Sequence, residues 1–563
     1  MENTIDCFFI GHNEMNFDEY ERTTREMGVH SGAYRDLDLN FIQYDNKLYT
    51  AADIFNLFFR GDNGPGEQNN PLGPGRTFSA GIAYLGSYLH RRGLSFDYVN
   101  SFQDRKDELR KKLERGNILT VAVLTTLYVS PLPIIEIIDF VKQYNKTAKI
   151  IVGGPFITTL VRSGCNGGQG VLEYSLETMG ADFFVNSSQG ETALVHIINA
   201  LKTHAPIRHI HNIFYKTGKG YVSTAVSRED NPLAGNTVNW DLFSHRAGVF
   251  VNLRTAISCP FSCAFCGFPE RAGKYQVVDV GGVEKELNLL KKIPTVKHLH
   301  FIDDTFNVPL KRFKEILRMM IRNKYNFKWY SHFRCQFSDH ETVELMKESR
   351  CEGVFLGIES GSDEILRNMN KAVTVEKYLK GIQLLKEHGI LTYGSFIIGF
   401  PGETKKTTRE TVKFIKQCGL DYYRAQLWYC EPITPVFAKK SEYKLEGERF
   451  EWSHSTMDSK RASDIVEDIF LTVEEPVWVP QYNFECDALF HLFHRGMSME
   501  QVNGFLRAFN AGVKEKLTGL SPREVSFETI RRIKAACPGN EHTGPGGGDE
   551  IGKPAAYNAD FDF

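Results

Sequence analysis

The 563-residue chain has no long apolar run. The longest, such as 118–124, is strand-length and falls far short of the roughly 20 residues that cross a bilayer. Charge of one sign is also missing: 67 Lys and Arg against 69 Asp and Glu leave a net charge of −2. No global field favours nucleic acid or an anionic membrane, and neither is expected as a partner. The opening Met-Glu-Asn-Thr-Ile-Asp lacks the basic and apolar regions of a signal peptide. Cysteine is sparse. Its 11 copies are scattered and odd in number, which argues against a disulfide framework and for a reducing cytoplasm. No G-x-G-x-x-G loop occurs, so a dinucleotide is not expected. With 42% hydrophobic and 24% charged residues, the chain reads as a soluble globular protein of several domains.

Against that scarcity three cysteines stand together, in Cys259-Pro-Phe-Ser-Cys263-Ala-Phe-Cys266, directly after the β-like run 249–257. At a frequency of about 0.02 per position, two further cysteines at fixed offsets arise by chance at roughly 0.0004 per anchor. Three thiolates on one short loop suit three irons of a 4Fe–4S cube, leaving the fourth iron without a cysteine. The alternatives are a zinc site or three unrelated buried cysteines. Zinc asks for a fourth Cys or His close by, usually in a second pair, and none follows. The CxxxCxxC spacing, with Phe265 before the last Cys, resembles the signature of radical S-adenosylmethionine (SAM) enzymes. That resemblance implies that Cys259, Cys263 and Cys266 are the catalytic metal ligands. It also implies that the open iron chelates the amino and carboxylate groups of SAM, and that an electron from the cluster cleaves SAM to a 5′-deoxyadenosyl radical. A flavodoxin- or ferredoxin-like protein would donate the electron.

Upstream, 5–12 reads as a buried strand. The stretch 13–75 is polar, aromatic and Gly/Pro-rich, with one short helical segment at 50–59, and reads as an insertion. From 76 onward, strands at 96–99, 118–124, 149–152 and 182–185 alternate with helices, the pattern of a parallel doubly wound sheet. Such sheets bind ligands beyond the carboxyl ends of their strands. There stand Thr125 and Thr126, then Gly153, Gly154 and Pro155, then Gly190 and Glu191. Hydroxyls and bare glycine backbone suit a bulky polar ligand tail, although each alone also reads as an ordinary turn. Placed directly before the cysteine loop, they resemble the cobalamin-binding domain of cobalamin-dependent radical SAM enzymes, over residues 1–210. The resemblance implies a cobalamin, carried as methylcobalamin, at these residues. The D-x-H-x-x-G motif of other cobalamin proteins is missing, and His12 is the only His at a strand end of this domain. Analogy with the radical SAM branch therefore implies cobalt without a protein imidazole. The alternative is a degenerate domain kept as a scaffold.

Residues 211–248 read as a connector with a hairpin around Gly218-Lys219-Gly220. Over 249–435 the strand before Cys259 is followed by strands at 298–302, 328–333, 353–358, 393–398 and 422–428. Six is the count of the partial (β/α)6 barrel of radical SAM enzymes, and barrel chemistry gathers at the C-terminal strand ends. Those ends carry Asp303-Asp304, His332 and Arg334, Glu359-Ser360, and Gly399-Phe-Pro401. Carboxylates and hydroxyls suit the ribose and amino groups of SAM, and Arg334 suits its carboxylate. Family resemblance assigns Asp303 to the amino group, Glu359 and Ser360 to the ribose, and 397–401 to the adenine, with Phe265 and Gly267 beside the cluster. Each alone also reads as a turn or a cap. Arg271, Arg334 and Arg424 would bind an anionic substrate if they converge.

Residues 436–537 read as a small helical domain, with 452–458 expected at the substrate entrance, and 538–563 as a flexible Gly-rich tail. The expected fold class is α/β, with an N-terminal Rossmann-like domain, a partial barrel and C-terminal helices. The expected activity is cobalamin-dependent radical SAM methyl transfer in natural-product biosynthesis. The opening Asp6-Cys-Phe-Phe-Ile-Gly-His-Asn-Glu, the insertion and Trp452-Ser-His-Ser-Thr-Met-Asp resemble the phosphinate P-methyltransferases of phosphinothricin (bialaphos) biosynthesis. That resemblance implies a small phosphinate whose P–H hydrogen is replaced by methyl. Two alternatives stand beside it: methylation of an unactivated carbon in a peptide or other natural product, and an iron–sulfur or cobalamin electron-transfer protein without SAM chemistry. The carboxylate and Gly-Pro motifs count against the last, since a carrier needs no SAM pocket.

Overall fold

The computed structural model describes residues 4–59, 71–73, 77–126, 128–167, 169–484, 486–519 and 524–537. The expected tail at 538–563 lies outside them. No helix among the described residues is long and apolar enough to cross a membrane.

The strand Ile5–His12 is almost wholly buried, as a central parallel strand covered on both faces must be. It lies between Phe96–Ser101 and Ile118–Leu124, and Lys149–Gly153 and Phe183–Val185 continue the parallel sheet. Helices Lys106–Glu114 and Leu132–Tyr144 pack on one face, where Leu109, Ile134, Ile137 and Val141 meet Phe8, Ile10, Val121 and Val123. Helices Ala80–His90 and Glu191–Thr203 cover the other face with the larger core. This is the expected doubly wound architecture. Its strand order places the topological switch point between Ile5–His12 and Ile118–Leu124, where such sheets open a ligand crevice. The hairpin expected in a connector, Ile213–Thr217 and Gly220–Ser223, instead extends this sheet antiparallel beyond Phe183–Val185.

The insertion holds more structure than its composition predicts. Helices Phe17–Glu26 and Gly32–Asp38 and the hairpin Phe41–Tyr44/Lys47–Thr50 precede the helix Ala51–Phe58. Side-chain caps supply what the polar sequence conceals: Asn16 and Ser31 cap the first two helices, and Thr50 with Asp53 forms a capping box on the last. The buried side of the insertion meets the far end of the chain. Phe55 packs edge-on against Phe505 of the helix Met499–Thr518, and Lys516 Nζ lies 2.8 Å from Asp38 Oδ1. Arg35 reaches Asp464 Oδ1 and Glu467 Oε2, at 2.5 and 2.8 Å, on the helix Ser459–Thr472.

The second sheet runs Phe250–Leu253, His298–Phe301, Lys328–Phe333, Cys351–Glu359, Leu391–Ile398 and Tyr422–Leu427, all parallel. A seventh strand, Val477–Trp478, comes from the C-terminal part and pairs with Tyr422–Tyr423. The first and last strands do not pair with each other, so the barrel is open. Its outward face is apolar and lies under helices, as where Phe313 of the helix Leu310–Arg322 meets Trp329. The amino end of the barrel is closed by the helix Cys486–His494, whose Phe490 stacks on Tyr330 at 4.1 Å.

Candidate cluster and cofactor site

The cysteine loop leaves the first barrel strand through a turn held by Asp303. The Asp303 carboxylate accepts from the backbone N–H of Thr255 at 2.6 Å and of Ala256 at 2.8 Å, and from the Thr255 hydroxyl. The loop is then tied by backbone hydrogen bonds, Ala264 N–H to Met369 O and Val436 N–H to Ala264 O. Each of the three sulfurs has a hydrogen-bonding neighbour: Thr305 Oγ1 at 3.5 Å from Cys259, which the Phe261 backbone also reaches, Arg334 Nη2 at 3.1 Å from Cys263, and Phe268 N–H at 3.5 Å from Cys266. Burial raises the Cys259 thiol and pushes Cys266 up to about 12, the latter with help from the neighbouring Cys263, Asp304 and Cys259 as anions. Among the described residues, no three His, Cys, Asp or Glu side chains converge on a single ion. A cube asks for no such convergence, because each thiolate takes its own iron, and hydrogen bonds to the sulfurs tune its potential. The donor set fits a 4Fe–4S cluster.

Arg334 stacks over Phe261 at 3.6 Å while it donates to Cys263. Thus Arg334, expected on SAM or substrate, is committed to the cluster loop. Arg271 pairs with Glu431 at 2.8 Å, and Arg424 reaches Asn40 Oδ1 at 3.0 Å and Asp36 at 3.3 Å. The three arginines do not converge on one point. Three of the expected SAM contacts also have partners within the protein. Both Asp303 oxygens hold the strand-end turn, the Ser360 hydroxyl meets Thr411 at 3.1 Å, and Glu359 pairs with Lys371 at 2.8 Å. Sequence spacing did not single out Lys371. Its ammonium also lies 5.2 Å from the centre of the Phe265 ring, so it links Glu359 to the cysteine loop. Gly267 follows the loop beneath Ile433.

The neighbouring Asp304 is the carboxylate that faces outward. It touches solvent, yet the protein walls around it, aided by Asp303 and opposed by Arg271, push its carboxyl up to about 7. At the fifth strand end, Gly399 has φ +94°, and a Cβ there would lie 2.5 Å from Trp452. Glu403 accepts from Gly399 N–H, and His454 Nε2 meets Gly399 O at 3.0 Å. Pro401 is buried in the same turn. Trp452 and His454 of the 452–458 stretch, expected at an entrance, therefore brace this turn: both are buried and stack on each other, while Ser455, Thr456 and Asp458 are exposed. Buried aromatic packing decided their place where composition had suggested an open mouth.

The carboxyl edge of the first sheet is open where a ligand tail would lie. Thr126 and Pro155 are exposed, and Gly153, Gly190 and Glu191 are half-buried. Gly154 has φ +119°, and a Cβ on it would come to 2.8 Å from Thr125 Oγ1. The Thr125 hydroxyl itself donates to Gly153 O at 3.0 Å, so it shapes the edge and Thr126 presents the open hydroxyl. His12 stacks on Tyr128, whose hydroxyl accepts from Asn13 N–H at 2.7 Å. The bare edge fits a large polar ligand. It also faces the cysteine loop. Arg162 of the helix Pro155–Gly167 lies 3.6 Å from Glu270 in the helix Phe268–Ala272. Ser188 and Gln189 share a cavity of about 270 Å³ with Gly273 and Lys274. Arg254 stacks over Tyr84 at 4.0 Å, and the Tyr84 hydroxyl donates to Arg254 O. A second groove of about 250 Å³ lies between the helices Lys405–Gln417 and Ser459–Thr472, lined by Thr408, Val412, Ile465 and Ile469.

A family model described as the radical SAM superfamily matches residues 255–415. The chain is 26% identical over 357 residues to an uncharacterized methyltransferase of Pyrococcus horikoshii, spanning 61% of this chain and 74% of that protein. It is 25% identical over 391 residues to the anaerobic magnesium-protoporphyrin IX monomethyl ester cyclase of Rubrivivax gelatinosus, spanning 66% and 68%. Among solved structures, the radical SAM methyltransferase TsrM of Kitasatospora setae, with cobalamin and a 4Fe–4S cluster bound, aligns with a TM-score of 0.60. That alignment covers 84% of this chain and 98% of TsrM at 16% identity. The cobalamin-dependent SAM radical enzyme OxsB, with aqua-cobalamin bound, aligns with a TM-score of 0.58 over 95% of this chain and 75% of its own, at 13% identity. At these identities the structural likeness is one of fold.

Proposed function

We propose that this chain, with its radical SAM domain joined to a Rossmann-like sheet, is a cobalamin-dependent radical SAM methyltransferase. The observation that carries the reading is the apposition just described: the cysteine loop and the carboxyl edge of the first sheet meet across one seam. When bound, the cluster and SAM supply radical chemistry and cobalamin supplies methyl transfer; the protein supplies binding and orientation. Cys259, Cys263 and Cys266 hold the cluster, and Arg334, Thr305 and the Phe268 N–H polarise their sulfurs. Asp304 and the 399–403 turn are the groups placed to hold SAM. Asp304 is the carboxylate open to an ammonium, and the turn presents backbone fixed by Glu403 and His454. Thr126, Gly154 and Gly190 line the cobalamin edge. Closure of the barrel floor by Phe490 leaves the carboxyl end as its open mouth, which directs substrate toward the cluster.

The finer reading is methyl transfer to the phosphorus of a small phosphinate. It rests on the resemblance of the opening strand and the insertion to the phosphinate P-methyltransferases. The test of the broader reading is anaerobic reconstitution with iron and sulfide, followed by reduction in the presence of SAM. The parent protein should hold four irons and release 5′-deoxyadenosine, and the triple variant with Cys259, Cys263 and Cys266 replaced by Ala should do neither. A triple variant that still cleaves SAM would refute it.

A further inference from the structure

Strand register fixes which side chains look into the barrel. Asn252, His300, Tyr330 and Gly353 stand abreast on neighbouring strands. One pleat step nearer the cluster, His332, Phe355, Tyr393 and Tyr422 form the next row. Residues abreast in a sheet share a face, and Trp329 and Phe301, each one residue away from the first row on its own strand, lie outward under helices, so both rows face the lumen. Asn252, His300, His332 and Phe355 are only half-buried, so the lumen is reachable. Neither row contains an Asp or Glu. The row above adds Ser395 and Arg424, whose carboxylate partner Asp36 comes from outside the barrel.

The two histidines form a pair. The His300 ring stacks on Tyr330 at 4.5 Å, stands 5.9 Å from the His332 ring, and His332 meets Phe355 edge-on at 4.8 Å. His332 Nδ1 is buried and has no hydrogen-bond partner among the described residues. His332 also lies on the same face as Arg334, the residue that touches Cys263, about 7 Å along the strand. We infer that His300 and His332 bind the acid group of a small anionic substrate, holding its reacting end next to the cluster. This deepens the reading proposed above and rests on it.

The physical grounds are the wall and the vacancy in its hydrogen bonding. A buried anion without partners costs several kcal/mol, and a wall without carboxylates and with two imidazoles supplies partners at no cost in like-charge repulsion. Burial holds both imidazoles neutral: His332 is pulled down to about 4 and His300 well below its ordinary value, with the charge of His332 adding to the latter. An oxyanion between them favours the protonated form, so binding should draw in protons.

The test is calorimetry on the full-length reconstituted protein with two probes, methylphosphinate and the neutral trimethylphosphine oxide, in buffers of different ionisation enthalpy at pH 7. The parent should bind the anion at least tenfold tighter than the neutral probe and take up protons as it does so. His332→Phe and His300→Phe, which keep the aromatic contacts, should each weaken anion binding about ten- to a hundredfold, the range of one hydrogen bond to a charged group. Equal affinity for the two probes in the parent would overturn the inference even if both variants failed to fold. Unchanged anion affinity in both folded variants would overturn it as well. SAM cleavage by the substrate-free parent reports separately on the proposed function. Its absence removes that reading, whereas cleavage combined with indifference to the anion removes only the assignment of the histidines.

Discussion

Replacing Lys371 by Met should damage the cluster loop from a distance. Lys371 and Glu359 form an ion pair at 2.8 Å with side chains only 7% and 10% exposed. Removing one partner of such a buried pair leaves an uncompensated charge and costs about 3–5 kcal/mol, whereas neutralising both costs far less. Glu359 sits at φ +67°, a strained position for a non-glycine residue, so it has little freedom to swing toward water. The backbone beside Lys371 also carries the hydrogen bond from Ala264 N–H to Met369 O, which ties the cysteine loop down. Lys371→Met should therefore lower iron content on reconstitution and speed hydrogen exchange over 262–266 and 351–359. Because a chain of this size does not unfold in one step, local exchange is the right gauge. The double variant Lys371→Met, Glu359→Gln should recover most of the lost protection. A single variant costing under about 1 kcal/mol, or a double variant as damaged as the sum of the singles, would refute the reasoning.

Two further outcomes follow from the same geometry. Burial raises Glu403 from an ordinary 4.5 to about 7, so the native state holds its proton more tightly than the unfolded chain does. Its contribution is full below about pH 4.5, declines by about 3 kcal/mol between pH 4.5 and 7, and stays lost above. Glu403→Gln keeps an acceptor for Gly399 N–H, and hydrogen-exchange protection over 399–403 across pH, corrected for the intrinsic exchange rate, should show the decline flattened; an identical slope in the variant counts against it. His12 is stacked on Tyr128, and the chain lacks the D-x-H-x-x-G motif. The Co(II) electron paramagnetic resonance spectrum of cobalamin-loaded protein should therefore show no imidazole nitrogen hyperfine structure, and its appearance would contradict this.

Period and spacing made much of the fold legible. Continuous apolar runs such as 118–124, alternating with helices, indicated the doubly wound sheet, and six strands about 30 residues apart indicated the barrel. The cysteine loop was legible because its chemistry lies within eight residues. What stayed hidden depends on contacts across long separations. The insertion read as mostly loop because its first two helices are short and polar, and Asp464 and Glu467, which Arg35 of the second helix reaches, lie about 430 residues away. Asp303 and Asp304 are adjacent carboxylates, and only the turn at Thr255 decides that the first is consumed and the second left open. Arg271, Arg334 and Arg424 read as a basic mouth, but Glu431, Cys263 and Asp36 claim them one by one. Lys371 and the His300–His332 pair emerge only from loop packing and strand register, which no local pattern encodes.

The central claim, methyl transfer across the seam between the two sheets, is tested most directly with SAM carrying a trideuterated methyl group. Reduced, reconstituted protein loaded with cobalamin is incubated anaerobically with methylphosphinate, and the product is read by mass spectrometry. The account predicts a dimethylphosphinate that carries the intact trideuterated methyl, formed together with 5′-deoxyadenosine and only when cobalamin is present. Formation of 5′-deoxyadenosine with no labelled methyl in any product, with or without cobalamin, would contradict it.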